Sequence, residues 1–459
     1  MNPVIQGFLS ALKPPFTGDP VEWLEEHLKI PFSARSRNFK RDNAPHLNDP
    51  IRAATDIEHK KVVIRACTGA GKTTLLEATA VFNVGIEHGP MLVVGQTDAD
   101  TKDWVESRYS AIIDECPVLH KYLHPDRHKR RNDAILWRHM AQYFTGPNLS
   151  GLQAKSIRFC YGDETWLWEK GMIGEMKGRH HNRWNRKTIL VSQGWETSSD
   201  EPHDMDAEYA EGNDCRREFQ CTKCGEWQLY AWEQIKYDPV LSSSFSMDYD
   251  KTGATARLVC RFCEQAFPDS SSVRRALAEN GRYKAYNPEH SDGVASFHCP
   301  AWAVWWIPWK DIVIDWLKAQ QAKKIGDLES LRLWTMKVAA QPWVLDTQKI
   351  TDADVRAMVN KSYNQKECPI EPVLVTMCAD PGEKVTHWSI CAWSEAGEGY
   401  IIDYGTTLAA INLIEIARKF EYPIRGTNSA AKVHQGFIDS GDFAEEIYSV
   451  CLADSDNVF

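Results

Sequence analysis

Residues 65–75 read RACTGAGKTTL, nearly a phosphate-binding loop of the form G-x-x-x-x-G-K-[ST], with Ala66 in place of the first glycine. The preceding KKVVI (60–64) is short, β-branched and apolar, as a buried parallel strand is. KTTLLEATAVFNVGI (72–86) carries apolar residues at helical spacing. Strand, glycine turn and helix are the context this motif requires, and they argue against a chance GKT. Loop and helix N-terminal amides then cradle phosphate oxygens. Lys72 reaches the β- and γ-phosphates of ATP and Thr73 ligates Mg2+. The candidate ATP-binding residues are Ala66, Thr68, Gly69, Ala70, Gly71, Lys72, Thr73 and Thr74. Gly69 and Gly71 supply backbone freedom near the phosphates, and at Ala66 a small residue suffices.

A second acidic strand is needed. SIRFCYGDETWLW (156–168) offers one, ending in Asp163-Glu164 about ninety residues past the loop. Asp163 would hold Mg2+ through water, and Glu164 would deprotonate the attacking water. GPMLVVGQTDADTKDW (89–104) reads as another buried strand followed by a helix, and KTILVSQGWETSSDEP (187–202) as a strand ending in Ser192-Gln193-Gly194. That end is either a γ-phosphate sensor or a plain turn. Alternating strands and helices predict a parallel sheet, an ASCE-type P-loop NTPase.

MKGRHHNRWNRK (176–187) is strongly basic. It is either a phosphate contact or a solvated face; Arg179, and alternatively Arg65, are the possible arginine fingers. HPDRHKRR (124–131) reads as a solvated loop.

At 459 residues, two or three domains are expected. Net charge of −10 argues against a uniformly basic surface, though a local basic channel can still hold DNA. No apolar run reaches membrane-spanning length, and MNPVIQGFLSALKPPF lacks the charged start and cleavage site of a signal peptide. Thirteen cysteines, several in C-x-x-C pairs, fit metal binding in a reducing cytosol better than a disulfide framework.

Cys221-x-x-Cys224-Gly and Cys260-x-x-Cys263 form two knuckles suited to one tetrahedral Zn2+, with a spacer long enough for a β-hairpin. Four thiolates close the coordination sphere, so the zinc would be structural. The alternative is four buried thiols without metal.

PVLVTMCADPGEKVTHWSICAW (372–393) gives a strand ending in Asp380 and a second strand. EGYIIDYG (398–405) gives a third, a helix follows over roughly 408–420, and VHQGFIDSGDFAEEIYSVC (433–451) gives a fourth strand ending at Asp439 and a helix. This is the start of an RNase H-like fold, in which carboxylates at adjacent strand ends, Asp380 and Asp439, share Mg2+ or Mn2+ for phosphodiester hydrolysis.

With these motifs, PVEWLEEHLKIPFSARSRNFKRDNAPHLNDP (20–50), ALAENGRYKAYNP (276–288) and SFHCPAWAVWWIPWKDIV (296–313), the chain resembles the large subunit of tailed-phage terminases, lambda-like GpA group, nearly end to end. The resemblance implies an ATPase that pumps double-stranded DNA through a portal into a procapsid, and a nuclease that cuts concatemers. It implies a terminase small subunit and a portal protein as partners, a homo-oligomeric ring during packaging, and the host bacterial cytoplasm as location. The domains expected are an N-terminal segment 1–48 with small-subunit and adenine-side contacts, an ATPase over 49–340 with a zinc-ribbon insert at 215–268, a linker 341–370 and a nuclease 371–459. Three features depart from the pattern: Ser192-Gln193-Gly194 stands where many terminases have Ser-Thr-Pro, Thr68 where many have arginine, and the chain stops at Phe459 with no further acidic ligand, so the nuclease reads as incomplete. Another P-loop translocase or helicase would lack the Asp380–Asp439 module. A non-hydrolysing DNA-binding scaffold would have no use for Glu164.

Overall fold

The computed structural model describes residues 16–454, apart from 33–35, 153–155, 181, 244–246, 291, 346–358, 360–361, 383–384 and 441–443. The chain divides into two compact units, Met1–Thr347 and Gln348–Phe459. Most of the linker expected over 341–370 lies outside the described residues.

The first unit is organised by β1 (Lys61–Ala66), whose apolar residues are buried on both faces. Its neighbours in a ten-stranded sheet are β2 (Met91–Val94), β3 (Ala134–Leu136), β4 (Ala141–Thr145), β5 (Phe159–Gly162), β6 (Lys187–Ser192), β7 (Cys215–Gln220), β8 (Trp227–Leu229), β9 (Gly281–Ala285) and β10 (Val294–Cys299). The order is β9-β7-β10-β1-β6-β5-β2-β4-β3, with β8 paired to β7. Pairing is parallel from β7 through β4, and β3, β8 and β9 are antiparallel edges. Strands buried on both faces are the signature of a parallel sheet between two helical layers.

Helix α1 (Lys72–Gly85) follows β1 and packs with Val62, Ile64 and Ala66 in the larger core. Val63 points the other way, into a second core with Leu92, Leu190 and Trp195. Strand alternation thus sends Arg65 to the face away from α1. Helix α2 (Asp98–Trp104) follows β2, passes through a π-helical turn at Val105–Tyr109, and continues as Ser110–Glu115. Helix α3 (Trp309–Lys324) adds Trp316 to an aromatic cluster with Trp232, Trp302 and Trp334, and its Trp309 Nε1 donates to Trp302 O at 3.0 Å.

The cysteine-bearing segment is continuous with this sheet. Its first strand, β7, lies directly beside β10. The spacer is more than a hairpin: it holds β8, a short strand Ile235–Lys236 paired with Arg257–Val259, and a helical turn Tyr249–Gly253.

The second unit has a four-stranded sheet of β11 (Leu374–Pro381), β12 (Thr386–Trp393), β13 (Gly399–Thr407) and β14 (Gln435–Ile438), ordered β13-β12-β11-β14. Only β11 and β14 are parallel. Helices α4 (Asn412–Lys419) and α5 (Ala444–Ala453) place Leu413, Ala417, Ile447 and Val450 in a core with Val375, Met377, Ile390 and Ile402.

Candidate active sites

Ala66 is the last residue of β1, buried and paired with Cys299 in regular strand geometry. A Cβ is harmless there, which explains why the first motif glycine is dispensable. Left-handed backbone is needed only at Gly69 (φ 76°) and Gly71 (φ 90°), which begin the helix cap. The loop is braced from three directions. Trp306 Nε1 donates to Gly69 O at 3.1 Å, His46 Nε2 donates to Ala70 O at 2.7 Å, and Thr68 N donates to Lys337 O at 2.8 Å.

Lys72 is buried. Its Nζ lies 3.4 Å and 3.3 Å from the carbonyls of Ala66 and Cys67, and 3.6 Å from Glu164 Oε1. Thr73 Oγ1 donates to Asp163 Oδ2 at 3.1 Å. The parallel pairing of β1, β6 and β5 therefore delivers the expected loop and acidic pair to one sheet edge. Glu164 has a left-handed backbone (φ 47°), strained for a side-chain-bearing residue, and Trp166 Nε1 holds its Oε2 at 2.9 Å. Burial pushes the Asp163 carboxyl up to about 6, the Glu164 charge adds to this, and Lys72 and Thr73 oppose it. A hydroxyl and a carboxylate in contact are hard oxygen donors of the kind Mg2+ takes.

Two cavities adjoin the loop. One, about 250 Å3, is lined by Thr73, Gln96, Asp100, Trp104, Asp163 and Glu164. The other, about 240 Å3, lies between Gly69, Gly71 and Thr74 and the N-terminal residues Phe32, Asn38 and Phe39. Arg108 lines both. Sequence reading missed Arg108, His46 and Trp306, because each reaches the loop from a distant segment. The one signal for Arg108 was the absence of an arginine at Thr68. A wider cavity, about 830 Å3, is bordered by Glu106, Ser110, Arg127 and Lys129 and includes none of Lys72, Thr73, Asp163 and Glu164 in its lining. Two of its arginines are already paired, Arg130 with Asp114 and Arg131 with Asp133.

At the end of β6, Gln193 is buried. Its Oε1 accepts from Thr68 Oγ1 at 3.1 Å, and its Nε2 has no partner among the described residues. The two candidate arginine fingers do not join this site within the chain. Arg65 lies on the opposite face, 4.2 Å over the Tyr209 ring. Arg179 lies at the amino-terminal end of β5, where its carbonyl accepts from Ile157 N and its guanidinium faces Glu175 at 4.0 Å.

The sulfur atoms of Cys221, Cys224, Cys260 and Cys263 all lie within 4.8 Å of one another. Cys221–Cys263 and Cys224–Cys260 are each 3.8 Å apart. A tetrahedral site with Zn–S bonds of about 2.3 Å has sulfur–sulfur edges of about 3.8 Å, so the donor set fits Zn2+. Burial pushes the Cys260 thiol up, but Gln228 Nε2 at 3.1 Å and backbone amides outweigh it and bring it down to about 6.

In the second unit, Ala379 pairs with Ile438 across β11 and β14, and Asp439 N donates to Ala379 O at 3.0 Å. Asp380 and Asp439 are therefore neighbours at adjacent strand ends, both exposed. His387 of β12 stands opposite Asp380.

The family model for the ATPase domain of the phage terminase large subunit gpA matches residues 33–283, and the model for its endonuclease domain matches 294–459. The chain belongs to the GpA family of phage terminase large subunits. The first match contains the P-loop and Asp163-Glu164; the second contains Asp380 and Asp439. The endonuclease match begins at β10, inside the first compact unit. The terminase is also similar to the HK97 bacteriophage large terminase (14% identity over 87% of this chain and 70% of that chain, TM-score 0.40). Similar too is the large terminase of a thermophilic bacteriophage (11% identity over 90% and 80%, TM-score 0.35). A structure of that thermophilic phage protein in complex with ADP gives 10% identity over the same shares, with TM-score 0.33. No curated protein sequence matches. This terminase is thus a genome-packaging enzyme that joins an ATPase to an endonuclease and acts on DNA in a packaging complex. No described helix is long and apolar enough to cross a membrane.

The acidic pair makes stability depend on pH. Folded Asp163 keeps its proton to about pH 6, whereas an unfolded aspartate releases it near 4. The folded state binds more protons in between, so stability falls as pH rises from about 4 to about 6. Asp163→Asn removes that slope: its melting temperature should exceed the parent's at about pH 7, by an amount worth on the order of 2 kcal/mol, and the gap should close by about pH 4. Equal melting curves at neutral pH refute this. For the cysteines, metal analysis should find one zinc per chain. Chelation should raise hydrogen exchange in residues 221–267 before β7, whose sheet partners β10 and β9 hold it. Zinc-free protein with unchanged exchange after chelator treatment contradicts this.

Proposed function

We propose that the ATPase of this terminase works through Lys72, Thr73, Asp163 and Glu164, and its nuclease through Asp380 and Asp439. The observation that carries the first part is the paired contact between the start of α1 and the turn after β5: Thr73 to Asp163 at 3.1 Å and Lys72 to Glu164 at 3.6 Å. The amides of Gly69 to Thr74 hold the phosphates, and Lys72 leaves the carbonyls of Ala66 and Cys67 to meet them. Thr73 and Asp163 would hold Mg2+, which neutralises charge between the β- and γ-phosphates when bound. Glu164, fixed by Trp166, takes the proton of the attacking water. The cavity under Phe32, Asn38 and Phe39 receives the adenine. Gln193, with an unpartnered Nε2 beside Thr68, senses the γ-phosphate in place of the family's Ser-Thr-Pro. The arginine finger comes from a neighbouring copy, and Arg179 is its candidate.

Asp380 and Asp439 would hold Mg2+ or Mn2+, which activates water and steadies the leaving oxygen. The cysteine quartet would hold a structural Zn2+. The domains run 1–48 for the N-terminal cover, 49–340 for the ATPase with 215–268 as its zinc-bearing part, 341–370 for the linker, and 371–459 for the nuclease. The partners are double-stranded DNA, a small subunit, a portal protein and further copies in a ring, in the host cytoplasm.

Lys72→Ala should abolish ATP hydrolysis. Glu164→Gln should abolish turnover while ATP still binds. ATP hydrolysis at the parental rate by Glu164→Gln means another group is the base. Asp380→Ala should remove metal-dependent nicking of DNA while ATP turnover persists; nicking undiminished in that variant sinks the nuclease assignment.

A further inference from the structure

Arg108 is held in a way that a purely structural ion pair does not require. Its Nε lies 2.5 Å from Glu77 Oε1 and its Nη2 lies 2.9 Å from Glu77 Oε2. Nη2 also donates to Thr74 Oγ1 at 3.2 Å. Glu77 is fully buried one turn along α1 from Thr73, and Trp104 Nε1 donates to its Oε1 at 3.1 Å. The guanidinium is thus hydrogen-bonded to Glu77 and Thr74 through Nη2, while Nε approaches Glu77 as an ion pair without an aligned hydrogen bond. Its other terminal nitrogen, Nη1, has no partner among the described residues, and the side chain is 36% exposed. The residue borders the cavity of Thr73, Asp163 and Glu164 and also the cavity of Gly69, Gly71 and Thr74. The π-helical turn at Val105–Tyr109 interrupts the helix where Trp104 and Arg108 converge on Glu77, and such turns recur at functional sites.

We infer that Arg108 is a phosphate-binding residue of the ATPase, with Glu77 as the buried anchor that orients it. The inference rests on the proposed nucleotide site at Lys72. The amide and hydroxyl of Thr74 stand at the start of α1, where the helix N-terminus meets the phosphates nearer the base. An arginine bonded to that hydroxyl, with free N–H groups facing the two cavities, meets the same phosphates without moving. Glu77 offsets the cost of bringing the cation into a half-buried site, and the fixed fork makes the donors preorganised. Thr68 occupies the loop position where other terminases carry arginine, and Arg108 supplies a guanidinium from the adjacent helix instead.

The test uses the full chain and measures affinity for ADP and for a non-hydrolysable ATP analogue, together with melting temperature. Arg108→Ala alone would leave Glu77 buried and unpaired, so the informative variant is the double change Glu77→Gln with Arg108→Met. It removes both charges and keeps the volume. If Arg108 binds phosphate, this protein melts near the parent but binds both nucleotides roughly ten- to hundredfold more weakly. Arg108→Lys keeps a cation for Glu77 but lacks the second edge, and should also lose about tenfold in affinity. Parental affinity, within about twofold, in whichever of these variants folds would overturn the inference. Lys72→Ala serves as the separate control: parental affinity there as well would fault the nucleotide site itself rather than Arg108.

Discussion

A buried ammonium has to be neutralised, and Lys72 sets the terms for everything around it. It is held by two backbone carbonyls and by Glu164. Those carbonyls belong to the end of β1, and Glu164 to the turn after β5, so the charge can be satisfied only if β5 lies close to β1 in parallel register. The strained backbone of Glu164 is a local cost that this arrangement tolerates. Burial, with the Glu164 charge beside it, drives the Asp163 carboxyl up to about 6 against the pull of Lys72 and Thr73. Two neighbouring carboxyls beside a buried ammonium make a site whose charge a bound phosphate and a cation would balance.

The loop is also tied to elements beyond the acidic strand. Residues 334–341 accept from Thr68 N through Lys337 O, from Gly194 N through Met336 O and from His298 Nε2 through Ala339 O. A Cβ on Gly194 would lie 2.0 Å from Gln341 O, so glycine is required where this segment crosses the end of β6. The position where the family's proline often stands thus has a local reason to be small here. Changes at the phosphate loop, at Gln193 and at this crossing segment share hydrogen bonds, which gives coupling a physical route.

Much of this was legible in the sequence because it is local. KKVVI, GAGKTT and RFCYGDE are contiguous stretches in which the strand, the glycines and the acids stand in order. The two C-x-x-C pairs likewise announce a shared centre. What stayed hidden depends on contacts across long sequence separations. Arg108 is 31 residues from Glu77, and Trp306 is 237 from Gly69. The phase of α2 could not be read, because the π-helical turn shifts which side chains face α1. The joining of β7 to the main sheet was hidden for the same reason, since its pairing with β10 links residues some eighty positions apart.

Continuity between the cysteine centre and the main sheet has a mechanical consequence. Cys221 follows directly on β7, β7 lies beside β10, and β10 lies beside β1, whose end is the phosphate loop. Cys299, the last residue of β10, accepts from Cys67 N at 3.0 Å. Beside β9, β7 is held only by a two-residue register with β10 and by the short strand β8, which itself lies between the two knuckles. Four sulfurs closed around one ion would fix the end of that strand with far less chain than a helix needs. A metal held there would stiffen the flank of the sheet that lies across β1 from β6 and β5.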